Sequence, residues 1–280
     1  MRVLVTGGSG FLGQHLLSCA PSYTEVYAPS SKEMDVTEAQ NVAEVVRSFE
    51  PQICLHLAAQ SSQQRAVDLQ ERTRAVNASS VGHLLKAVSS RTRVVFVSSC
   101  HVYGVPECLP VPETHPLNGV GVYAQSKIEG EAITRSFVER DWVILRPFNL
   151  TGPGQSPHFA AAQWASQWAQ GEREIATGDL SLRRDYLDVR DAARALWHLA
   201  EASDEGESVN ICSGRATALS EVFRVVAPDA RPIEDPARLR PSDVPELCGD
   251  PSRAHALGWD SQITLAQSLS DLRASFSARA

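Results

Sequence analysis

The chain has 280 residues, a formal net charge of −7 and 43% hydrophobic residues. This length allows one large α/β unit or two closely joined lobes with a substantial core. The negative net charge and the lack of a basic run argue against nucleic-acid binding, and no apolar stretch approaches the length that crosses a membrane.

The N-terminus and the cysteines are typical of a cytoplasmic protein, and the histidines lack the spacing of a metal site. A strand-like run at residues 3–5 follows the first two residues directly, so we expect no leader peptide. The six cysteines are scattered without a C-x-x-C pair, as in proteins whose thiols stay reduced. The eight histidines show no H-E-x-x-H or similar spacing, so we expect no metal site.

In the first half of the chain, short apolar runs alternate with segments of helical periodicity. Because the runs are apolar throughout, this order predicts a parallel sheet covered by helices on both faces, a Rossmann-type doubly wound α/β fold. We assign residues 1–150 to a dinucleotide-binding domain. The predicted strands cover residues 3–5, 26–28, 53–57, 94–97 and 143–145, and helical patterns cover residues 42–49, 76–88 and 127–138.

The character of the sequence changes after residue 150. Loops rich in proline and glycine, such as residues 151–157, and segments with arginine and aspartate surround a few helices, among them residues 191–201 and 265–276. We interpret residues 151–280 mainly as a smaller substrate-binding lobe, parts of which rejoin the sheet.

A glycine-rich loop connects the first predicted strand to a helix. Its glycines, Gly7, Gly10 and Gly13, have the spacing G-x-x-G-x-x-G. In a dinucleotide site the first glycine permits a tight turn, the second lets the backbone approach a pyrophosphate, and the third packs the helix against the strand. The N–H groups of the helix start, around Phe11 and Leu12, then face the phosphates. A glycine turn without a ligand is the alternative, but the strand before it and the helix after it favour the phosphate loop.

The end of the second strand normally distinguishes NAD from NADP. An acidic residue there binds the ribose 2′-hydroxyl of NAD and repels the 2′-phosphate of NADP. This sequence has two serines and a lysine instead, which favours NADP(H), although the nearby Glu33 keeps NAD(H) possible. The predicted contacts are Ser30, Ser31 and Lys32 near the phosphate, and Asp35 and Val36 near the adenine.

Tyr123 and Lys127 stand four residues apart in a chain with only two other lysines, Lys32 and Lys86. On a helix the two side chains share one face, so the phenol and the ammonium can converge. An ammonium favours phenolate and would lower the tyrosine pKa from about 10 toward working pH. A guanidinium fork cannot replace this compact charge. Taken alone, the spacing also fits an ordinary surface pair on a helix.

Together these features resemble the extended short-chain dehydrogenase/reductase family, also called the NAD-dependent epimerase/dehydratase family, in its sugar-nucleotide-modifying branch. The resemblance covers nearly the whole chain and includes the glycine loop, residues 35–36, 56–60, 77, 98–99, 123–127 and 146–149. It implies an enzyme with a catalytic triad of Ser99, Tyr123 and Lys127, with Ser98 as the alternate serine. It further implies that Leu57, Ala58, Ala59, Asn77, Tyr123 and Lys127 contact the cofactor, and that Ser61 and Ser62 contact the sugar.

Within the family, the C-terminal half looks most like the GDP-4-keto-6-deoxy-D-mannose reductases, in residues 148–155, 183–191, 210–214 and 235–245. The resemblance implies that Asn149, Arg184 and Arg240 hold the diphosphate of a nucleotide-sugar substrate. Guanidinium groups bind phosphate oxygens through paired hydrogen bonds, so a net-acidic protein can still carry a cationic pocket. The alternative for these arginines is ion pairing with neighbours such as Asp185 and Asp188.

The implied activity is the reduction of a keto group on a nucleotide-linked 4-keto-6-deoxyhexose. Tyr123 would donate a proton to the substrate oxygen, Ser99 would hydrogen-bond that oxygen, and Lys127 would contact the nicotinamide ribose. Residues 100–101 replace the acid that the dehydratases of the family carry, which disfavours dehydration. His101 and His158 lie near the proton-exchanging pair of the family's epimerase-reductases, so a 3,5-epimerase activity is an alternative.

Two other interpretations stay open. A 4-epimerase would keep its NAD bound and return the hydride, and a non-enzymatic dinucleotide sensor would share only the fold. The presence of both Tyr123 and Lys127 disfavours the sensor. By resemblance we expect a homodimer formed by residues 79–89 and the Tyr123 helix, while the base of the nucleotide and the stereochemistry of the product stay undetermined.

Overall fold

A computed structural model of the chain describes residues 1–239 and 244–277, with the backbone alone for residues 63–65. The strands are β1 (Arg2–Thr6), β2 (Glu25–Tyr27), β3 (Ile53–His56), β4 (Arg93–Val97), β5 (Trp142–Pro147), β6 (Asn149–Thr151), β7 (Glu174–Thr177), β8 (Arg183–Asp188), β9 (Glu207–Ile211), β10 (Ala216–Ala218), β11 (Arg231–Glu234) and β12 (Glu246–Leu247). The helices are α1 (Phe11–Ser18), α2 (Ala39–Phe49), α3 (Gln63–Asp68), α4 (Gln70–Arg74), α5 (Ser80–Ala87), α6 (Val122–Ser136), α7 (Ala160–Ala169), α8 (Val189–Ala202), α9 (Leu219–Val226), α10 (Ser252–Ala256) and α11 (Leu265–Ser277). A π-helical turn covers Ala75–Ser79, and 3₁₀ turns cover Cys100–Tyr103 and Pro236–Arg238. None of the described helices is long and apolar enough to cross a membrane.

Six parallel strands form the main sheet, in the order β2-β1-β3-β4-β5-β9. Successive side chains of a strand point to opposite faces of a sheet. Accordingly, β1 directs Val3 and Val5 into a core shared with α1 and α8, and Leu4 into a second core shared with α2 and α5. This doubly covered parallel sheet confirms the Rossmann-type fold that the apolar strands predict.

α8 packs the second half of the chain against the first. Asp188 caps its N-terminus by accepting a hydrogen bond from the Arg190 amide at 2.8 Å. Buried alanines let the helix lie close to α1, and Trp197 Nε1 donates to the Leu16 carbonyl of α1 at 2.9 Å. β9 then pairs with β5, so the second half supplies the last strand of the main sheet as well as a helix on one face.

Outside the main sheet, the second half of the chain forms two short sheets that the sequence interpretation does not predict. β8 pairs antiparallel with β10 and parallel with β6 and β12, while β7 and β11 form a separate parallel pair. α7, α9 and α11 share a core in which the rings of Trp164 and Phe223 lie 5.3 Å apart. Strands as short as two or three residues carry too little alternation to be distinguished from loops.

Two helices of the first half differ from their predicted extent. The pattern at residues 76–88 begins as the π-helical turn Ala75–Ser79, which buries Asn77 completely. Such turns widen the helix by one residue and often occur at functional sites. The pattern at residues 127–138 begins earlier, at Val122, so Tyr123 and Lys127 both lie in α6.

The chain leaves the main sheet at the carboxyl end of β5 and enters the second sheet at β6, with Phe148 alone between the two strands. The smaller lobe therefore starts at the carboxyl edge of the main sheet. In doubly wound sheets this edge is where ligands bind.

Candidate active site

The glycine loop turns tightly between β1 and α1. Gly7 has a φ of +74°, a left-handed conformation that costs glycine little. A Cβ at Gly7 would also lie 2.7 Å from the backbone nitrogen of Ala58, and a Cβ at Gly13 would overlap the Gly7 carbonyl oxygen. The turn and the close helix packing expected of these two glycines are therefore both present.

α1 begins without a side-chain cap and without an acidic residue in its first turn. Gly10 is the N-cap residue, and the amides of Phe11 and Leu12 follow it. A helix leaves its first N–H groups without partners inside the helix, and its dipole favours an anion at this end. The loop thus fits the pyrophosphate of a dinucleotide.

After β2, the side chains of Ser30, Ser31 and Lys32 are exposed. The amide and the hydroxyl of Ser30 both donate to Glu33 Oε2, at 2.8 and 2.7 Å. These two hydrogen bonds, led by the one from the amide, hold the pKa of Glu33 below its usual range. An ionised carboxylate therefore already occupies donors that a 2′-phosphate would use.

The predicted adenine segment is ordered by its own polar groups. Asp35 Oδ1 accepts hydrogen bonds from the hydroxyl and the amide of Thr37, at 2.7 and 2.9 Å, and these lower the pKa of Asp35. The Asp35 amide donates to Asn41 Oδ1 at 2.7 Å. Val36 is buried, and its carbonyl oxygen lies 3.1 Å from His83 Nδ1. The Asp35 carboxylate thus stabilises the turn before α2.

Residues 57–59 run from the end of β3 past the glycine loop. The Ala58 amide donates to Thr6 Oγ1 at 3.2 Å, which ties this segment to the end of β1. Asn77 holds the next residue, Gln60, by accepting from its amide at 2.7 Å and donating to its carbonyl at 3.2 Å. Hydrogen bonds therefore join the predicted cofactor contacts after β3 to the end of β1, and hold the next residue, Gln60, against Asn77 of the π-helical turn.

Ser61 and Ser62 follow this segment, the first exposed and the second partly buried. Both lie in the loop between β3 and α3. The carboxyl ends of neighbouring parallel strands meet at one edge of a sheet, so these serines lie at the same edge as the end of β4.

Ser99, His101 and Tyr123 form one cluster at the end of β4, which we call the hydroxyl cluster. The Ser99 hydroxyl is close enough to the Tyr123 phenol to lower its pKa, and it lies 3.2 Å from His101 Nδ1. The His101 amide donates to Ser99 Oγ at 3.3 Å, which caps the 3₁₀ turn. The rings of His101 and Tyr123 pack edge to face with their centroids 5.8 Å apart. The structure thus brings together the serine and the tyrosine of the predicted triad.

The prediction that the pKa of Tyr123 is lowered toward working pH is wrong for this structure, because burial outweighs the opposing effects. Burial raises the pKa of Tyr123 to about 12, against the opposing effect of the Ser99 hydrogen bond. Lys127 Nζ instead donates to the Val97 carbonyl at 2.7 Å and lies 4.9 Å from the centroid of the Phe96 ring. Burial also lowers the pKa of Lys127 to about 7. The reason is the same for both groups, because burial disfavours whichever form is charged.

Ser98, the alternate serine, points to a different partner. Its hydroxyl donates to Glu131 Oε1 at 2.7 Å, and Glu131 in turn forms a fully buried ion pair with Arg146. Ser98 is therefore engaged in the interior, whereas Ser99 lies beside Tyr123.

The predicted diphosphate contacts Asn149 and Arg184 lie on neighbouring strands of the second sheet. Asn149 Nδ2 donates to the Asp185 carbonyl at 3.2 Å, and Arg184 Nη1 donates to the Arg183 carbonyl at 2.9 Å. Arg240, the third predicted contact, lies outside the described residues.

The alternative of ion pairing does not apply to Arg184 within the part of the chain that the structure describes. Asp188 pairs with Arg190 at 2.8 Å. Asp185 is buried and accepts hydrogen bonds from the Ser213 hydroxyl at 2.6 Å and the Gly214 amide at 3.0 Å. The ion pairs of the described residues give Arg184 no carboxylate partner within 4.0 Å, although its charge contributes to lowering the pKa of Asp179.

The two histidines of the epimerase alternative lie in different environments. Burial, assisted by the charge of Arg184, lowers the pKa of His101 to about 4, so this ring is neutral at physiological pH. His158 is exposed in the loop before α7, and the described hydrogen bonds and ring contacts do not join it to His101. Only one member of the expected pair is in the hydroxyl cluster.

In the sequence, His56 is noted only as part of residues 56–60. In the structure this buried histidine connects the end of β1 to the start of α5. His56 Nδ1 lies 2.7 Å from Thr6 Oγ1, and Nε2 lies 2.8 Å from Ser80 Oγ. Ser80 donates to the Val76 carbonyl at 2.6 Å, so it must accept from His56 Nε2, and Thr6 must donate to Nδ1. The ring is therefore neutral, which agrees with its pKa, lowered by burial to about 3.

The Glu131–Arg146 pair is a second feature that sequence analysis missed. Arg146 Nε and an Nη donate to the two Glu131 oxygens at 2.8 and 2.6 Å, and each side chain is 1% exposed. A signal was present, because Glu131 follows Lys127 by the same four residues that separate Lys127 from Tyr123. No group of three or more His, Cys, Asp or Glu side chains among the described residues is arranged to hold a metal ion.

A parallel sheet with a glycine phosphate loop at its carboxyl edge, and a serine, a tyrosine and a lysine beside it, defines an enzyme that uses a nicotinamide dinucleotide. Residues 3–212 match the model of the NAD dependent epimerase/dehydratase family. The chain belongs to this family, which confirms the family predicted from its motifs.

Relatives within the family include reductases and epimerases. The GDP-6-deoxy-D-mannose reductase of Pseudomonas aeruginosa is 31% identical, over 96% of this chain and 94% of that protein. The solved structure of RMD from Pseudomonas aeruginosa complexed with NADPH is similar with a TM-score of 0.90 and 29% identity, covering 100% of this chain and 99% of that one. The UDP-glucose 4-epimerase of Thermus thermophilus in complex with NAD is similar with a TM-score of 0.85 and 27% identity, over 99% of both chains. The expected class, an NAD(P)-dependent enzyme, is thereby confirmed.

Proposed function

We propose that this protein uses NADPH to reduce the keto group of a nucleotide-linked 4-keto-6-deoxyhexose of the GDP-4-keto-6-deoxymannose type. The observation that carries the proposal is the hydroxyl cluster, in which a protonated Tyr123 contacts Ser99 one helical turn from the buried Lys127. Similarity to a GDP-6-deoxy-D-mannose reductase along the whole chain supports the sugar class. Similarity to RMD complexed with NADPH supports the cofactor.

The cofactor fits the residues at the sheet edge. The amides at the start of α1 would hold its pyrophosphate, the segment after β2 would hold the adenosine end, and Lys127 would contact the nicotinamide ribose. When bound, the reduced nicotinamide supplies the hydride for the carbonyl carbon.

Tyr123 is suited to donate the proton. With a pKa raised to about 12, it keeps its phenolic proton at neutral pH until negative charge develops on the substrate oxygen. Ser99 would hydrogen-bond the same oxygen and hold it within reach of the phenol. Once the proton has moved, the phenolate left on Tyr123 is stabilised by a positive charge on Lys127.

This assignment predicts a direction for the dependence of turnover on pH. Lys127 has a pKa of about 7 and loses its charge as the pH rises through that value. The proton transfer from Tyr123 then leaves a phenolate without a cation nearby. We therefore expect turnover to be greater on the acidic side of the Lys127 pKa than on the basic side.

The substrate diphosphate would be bound by the smaller lobe. Arg184 has no carboxylate partner among the described residues, and its charge reaches His101 of the hydroxyl cluster. A guanidinium at this position can bind phosphate oxygens while the sugar extends toward Tyr123. Asn149 would contribute an amide donor, and we keep Arg240 as a proposed third contact.

Epimerisation is the second candidate because one observation favours it. His101 is a neutral imidazole beside Ser99 and Tyr123, which suits proton exchange at a sugar carbon. An exchange on both faces of the sugar needs a second base, and His158 is exposed. For this reason we place reduction first.

The test is to incubate the purified protein with NADPH and either GDP-4-keto-6-deoxymannose or dTDP-4-keto-6-deoxyglucose, and to follow the loss of NADPH absorbance. The proposal expects rapid oxidation of NADPH with the GDP-linked sugar and little with the dTDP-linked one. No oxidation with either sugar would contradict it. Solvent deuterium at C3 or C5 of the product would indicate 3,5-epimerisation, and sugar interconversion with copurified NAD and no added NADPH would indicate a 4-epimerase.

A further inference from the structure

Glu131 is a buried acidic residue that no step of the proposed reaction uses. It lies one helical turn after Lys127 in α6, on the same face of the helix. The Lys127 residue is 2% exposed and the Glu131 side chain 1% exposed. A buried amine and a buried carboxylate therefore lie one helical turn apart, where little water screens the effect of the Glu131 charge on Lys127.

The Glu131 carboxylate is held in place by four donors. Oε1 accepts from Ser98 Oγ at 2.7 Å and Arg146 Nε at 2.8 Å, and Oε2 accepts from Arg146 at 2.6 Å and Arg135 at 3.4 Å. Burial acts to raise the pKa of Glu131, but the hydrogen bonds and charge of Arg146 outweigh it, so the pKa is lowered. Glu131 is therefore a fixed negative charge at physiological pH.

Few other charged or titratable groups surround Lys127. Tyr123 on α6 is a neutral phenol, and His56 on β3 is a neutral imidazole. Arg146 on β5 is neutralised by its pairing with Glu131, and β4 contributes only the Phe96 ring and the Val97 carbonyl. Arg135 lies beyond Glu131, with its side chain 42% exposed. Among the described residues, Glu131 is the one anionic group whose charge acts on Lys127.

We propose that Glu131 is a positioning residue for Lys127, and that its carboxylate, anchored by Arg146 and Ser98, favours the protonated form of the buried amine. The inference rests on the proposed function, since it acts through the Lys127 assigned there. Arg146 has a balancing role, because its guanidinium cancels part of the Glu131 charge. The positive charge of Lys127 is then not fully cancelled by Glu131, and it can still stabilise a negative charge on Tyr123.

The sequence itself offers a direct measurement, because the chain has only three lysines. A protein labelled with ¹³C at lysine Cε gives one NMR signal for each of Lys32, Lys86 and Lys127, and Lys127→Met identifies the third. Titration of the intact wild-type protein yields the ionisation midpoint of Lys127. Neither substrate nor turnover is needed for this readout.

We expect Glu131→Gln to lower the Lys127 midpoint by about one pH unit or more, since a nearby opposite charge favours the charged form. Glu129→Gln is the matched control, because it makes the same chemical change two residues earlier in α6, on a side chain 46% exposed and paired with Arg74. The control should leave the midpoint unchanged. A Glu131→Gln midpoint equal to that of wild type would overturn the proposal.

A buried Arg146 without its carboxylate could prevent folding of the single variant. The double variant Glu131→Gln/Arg146→Gln removes both charges and leaves no unpaired guanidinium. We expect its midpoint to lie below that of wild type and above that of Glu131→Gln, and a midpoint at or above the wild-type value would contradict the proposal.

Activity supplies a second readout that separates the two proposals. In Glu131→Gln saturated with NADPH, the basic limb of the kcat profile should move to lower pH together with the Lys127 midpoint. A protein that reduces neither keto sugar, yet shows the expected midpoint shift, would sink the proposed function and leave the role of Glu131 intact. If the wild-type protein reduces the GDP-linked sugar but the basic limb of the Glu131→Gln profile does not move, the proposed function would stand and the role of Glu131 would be contradicted.

Discussion

At the scale of single residues, one physical effect acts on the tyrosine and the lysine in opposite directions. Burial raises the pKa of Tyr123 to about 12 and lowers the pKa of Lys127 to about 7. Each shift favours the neutral form, because charge is costly away from water. The site therefore contains a phenol that holds its proton and an amine whose charge is easily lost. This arrangement suits a proton donor that needs the cation only after it has acted.

Tyr123→Phe removes the donor and keeps the ring. We expect kcat for keto-sugar reduction to fall by about 100-fold or more, within the range that general acids contribute. NADPH affinity, measured by fluorescence titration, should stay within about twofold, because the lost hydroxyl has Ser99 as its partner. A variant that retains more than a tenth of the wild-type kcat would exclude Tyr123 as the proton donor.

The Glu33 carboxylate disfavours binding of the 2′-phosphate of NADPH. Its carboxylate accepts two hydrogen bonds from Ser30, so it places a negative charge among the donors available to a 2′-phosphate. Glu33→Gln should raise NADPH affinity severalfold and leave NADH affinity nearly unchanged. Lys32→Gln should do the opposite and weaken NADPH alone. Paired titrations of both cofactors would show this, and a loss of NADPH affinity in Glu33→Gln would refute the interpretation.

At the scale of elements, α6 carries Tyr123, Lys127 and Glu131 at successive four-residue steps along one face. The helix lies close to β4 and to the π-helical turn because it has a glycine in its middle. A Cβ at Gly130 would come within 2.6 Å of the Phe96 ring and 2.7 Å of the Asn77 carbonyl oxygen. Glycine costs about 1 kcal/mol in a helix interior, but any larger residue at position 130 would overlap Phe96 and Asn77.

Gly130→Ala should therefore push α6 away from the sheet. We expect a loss of about 1–3 kcal/mol in the free energy of unfolding, as in other overpacked cores, together with lower turnover. Gly82→Ala in α5 is a matched control, because its Cβ would meet only the Cγ2 methyl group of Ile133, at 3.3 Å, and no backbone atom. Urea unfolding of both variants would test this. Equal stabilities of Gly130→Ala and Gly82→Ala would show that the space between α6 and the sheet accommodates the added methyl group, contrary to this prediction.

Sequence patterns find α6 and the spacing of its tyrosine and lysine, because both are local. The partner of Glu131 is not local. Arg146 lies fifteen residues later, on β5, and only the pairing of β5 with β4 brings it next to Ser98. Sequence patterns do not predict the short strands of the smaller lobe for a related reason, since each strand is defined by its partners rather than by its own periodicity.

At the scale of the whole molecule, buried histidines link stability to pH. Burial lowers the pKa of His56 to about 3 and that of His101 to about 4, whereas unfolded histidines titrate near 6.5. Below about pH 6 the unfolded state therefore binds protons that the folded state does not. Stability should fall as the pH is lowered toward these values, by at most about 1.4 kcal/mol per pH unit for each histidine.

The contribution of His56 can be isolated by mutation. His56→Gln should lower stability at neutral pH, because the link between Thr6 and Ser80 is weakened, but it should also flatten the decline of stability between about pH 6 and pH 4. His158→Gln, at an exposed position, should leave the decline unchanged. Urea unfolding at several pH values gives the slopes, and an unaltered slope in His56→Gln would refute the linkage.

The sequence by itself determined the alternation of strands and helices in the first half, the glycine loop, the tyrosine–lysine spacing and the family, because apolar periodicity and backbone sterics act over a few residues. Only the tertiary structure decided the separate roles of Ser98 and Ser99, the neutral state of His56, and the pairing of Glu131 with Arg146. These depend on desolvation and on hydrogen bonds between distant segments. Neither exists until the sheet assembles and excludes water from its carboxyl edge.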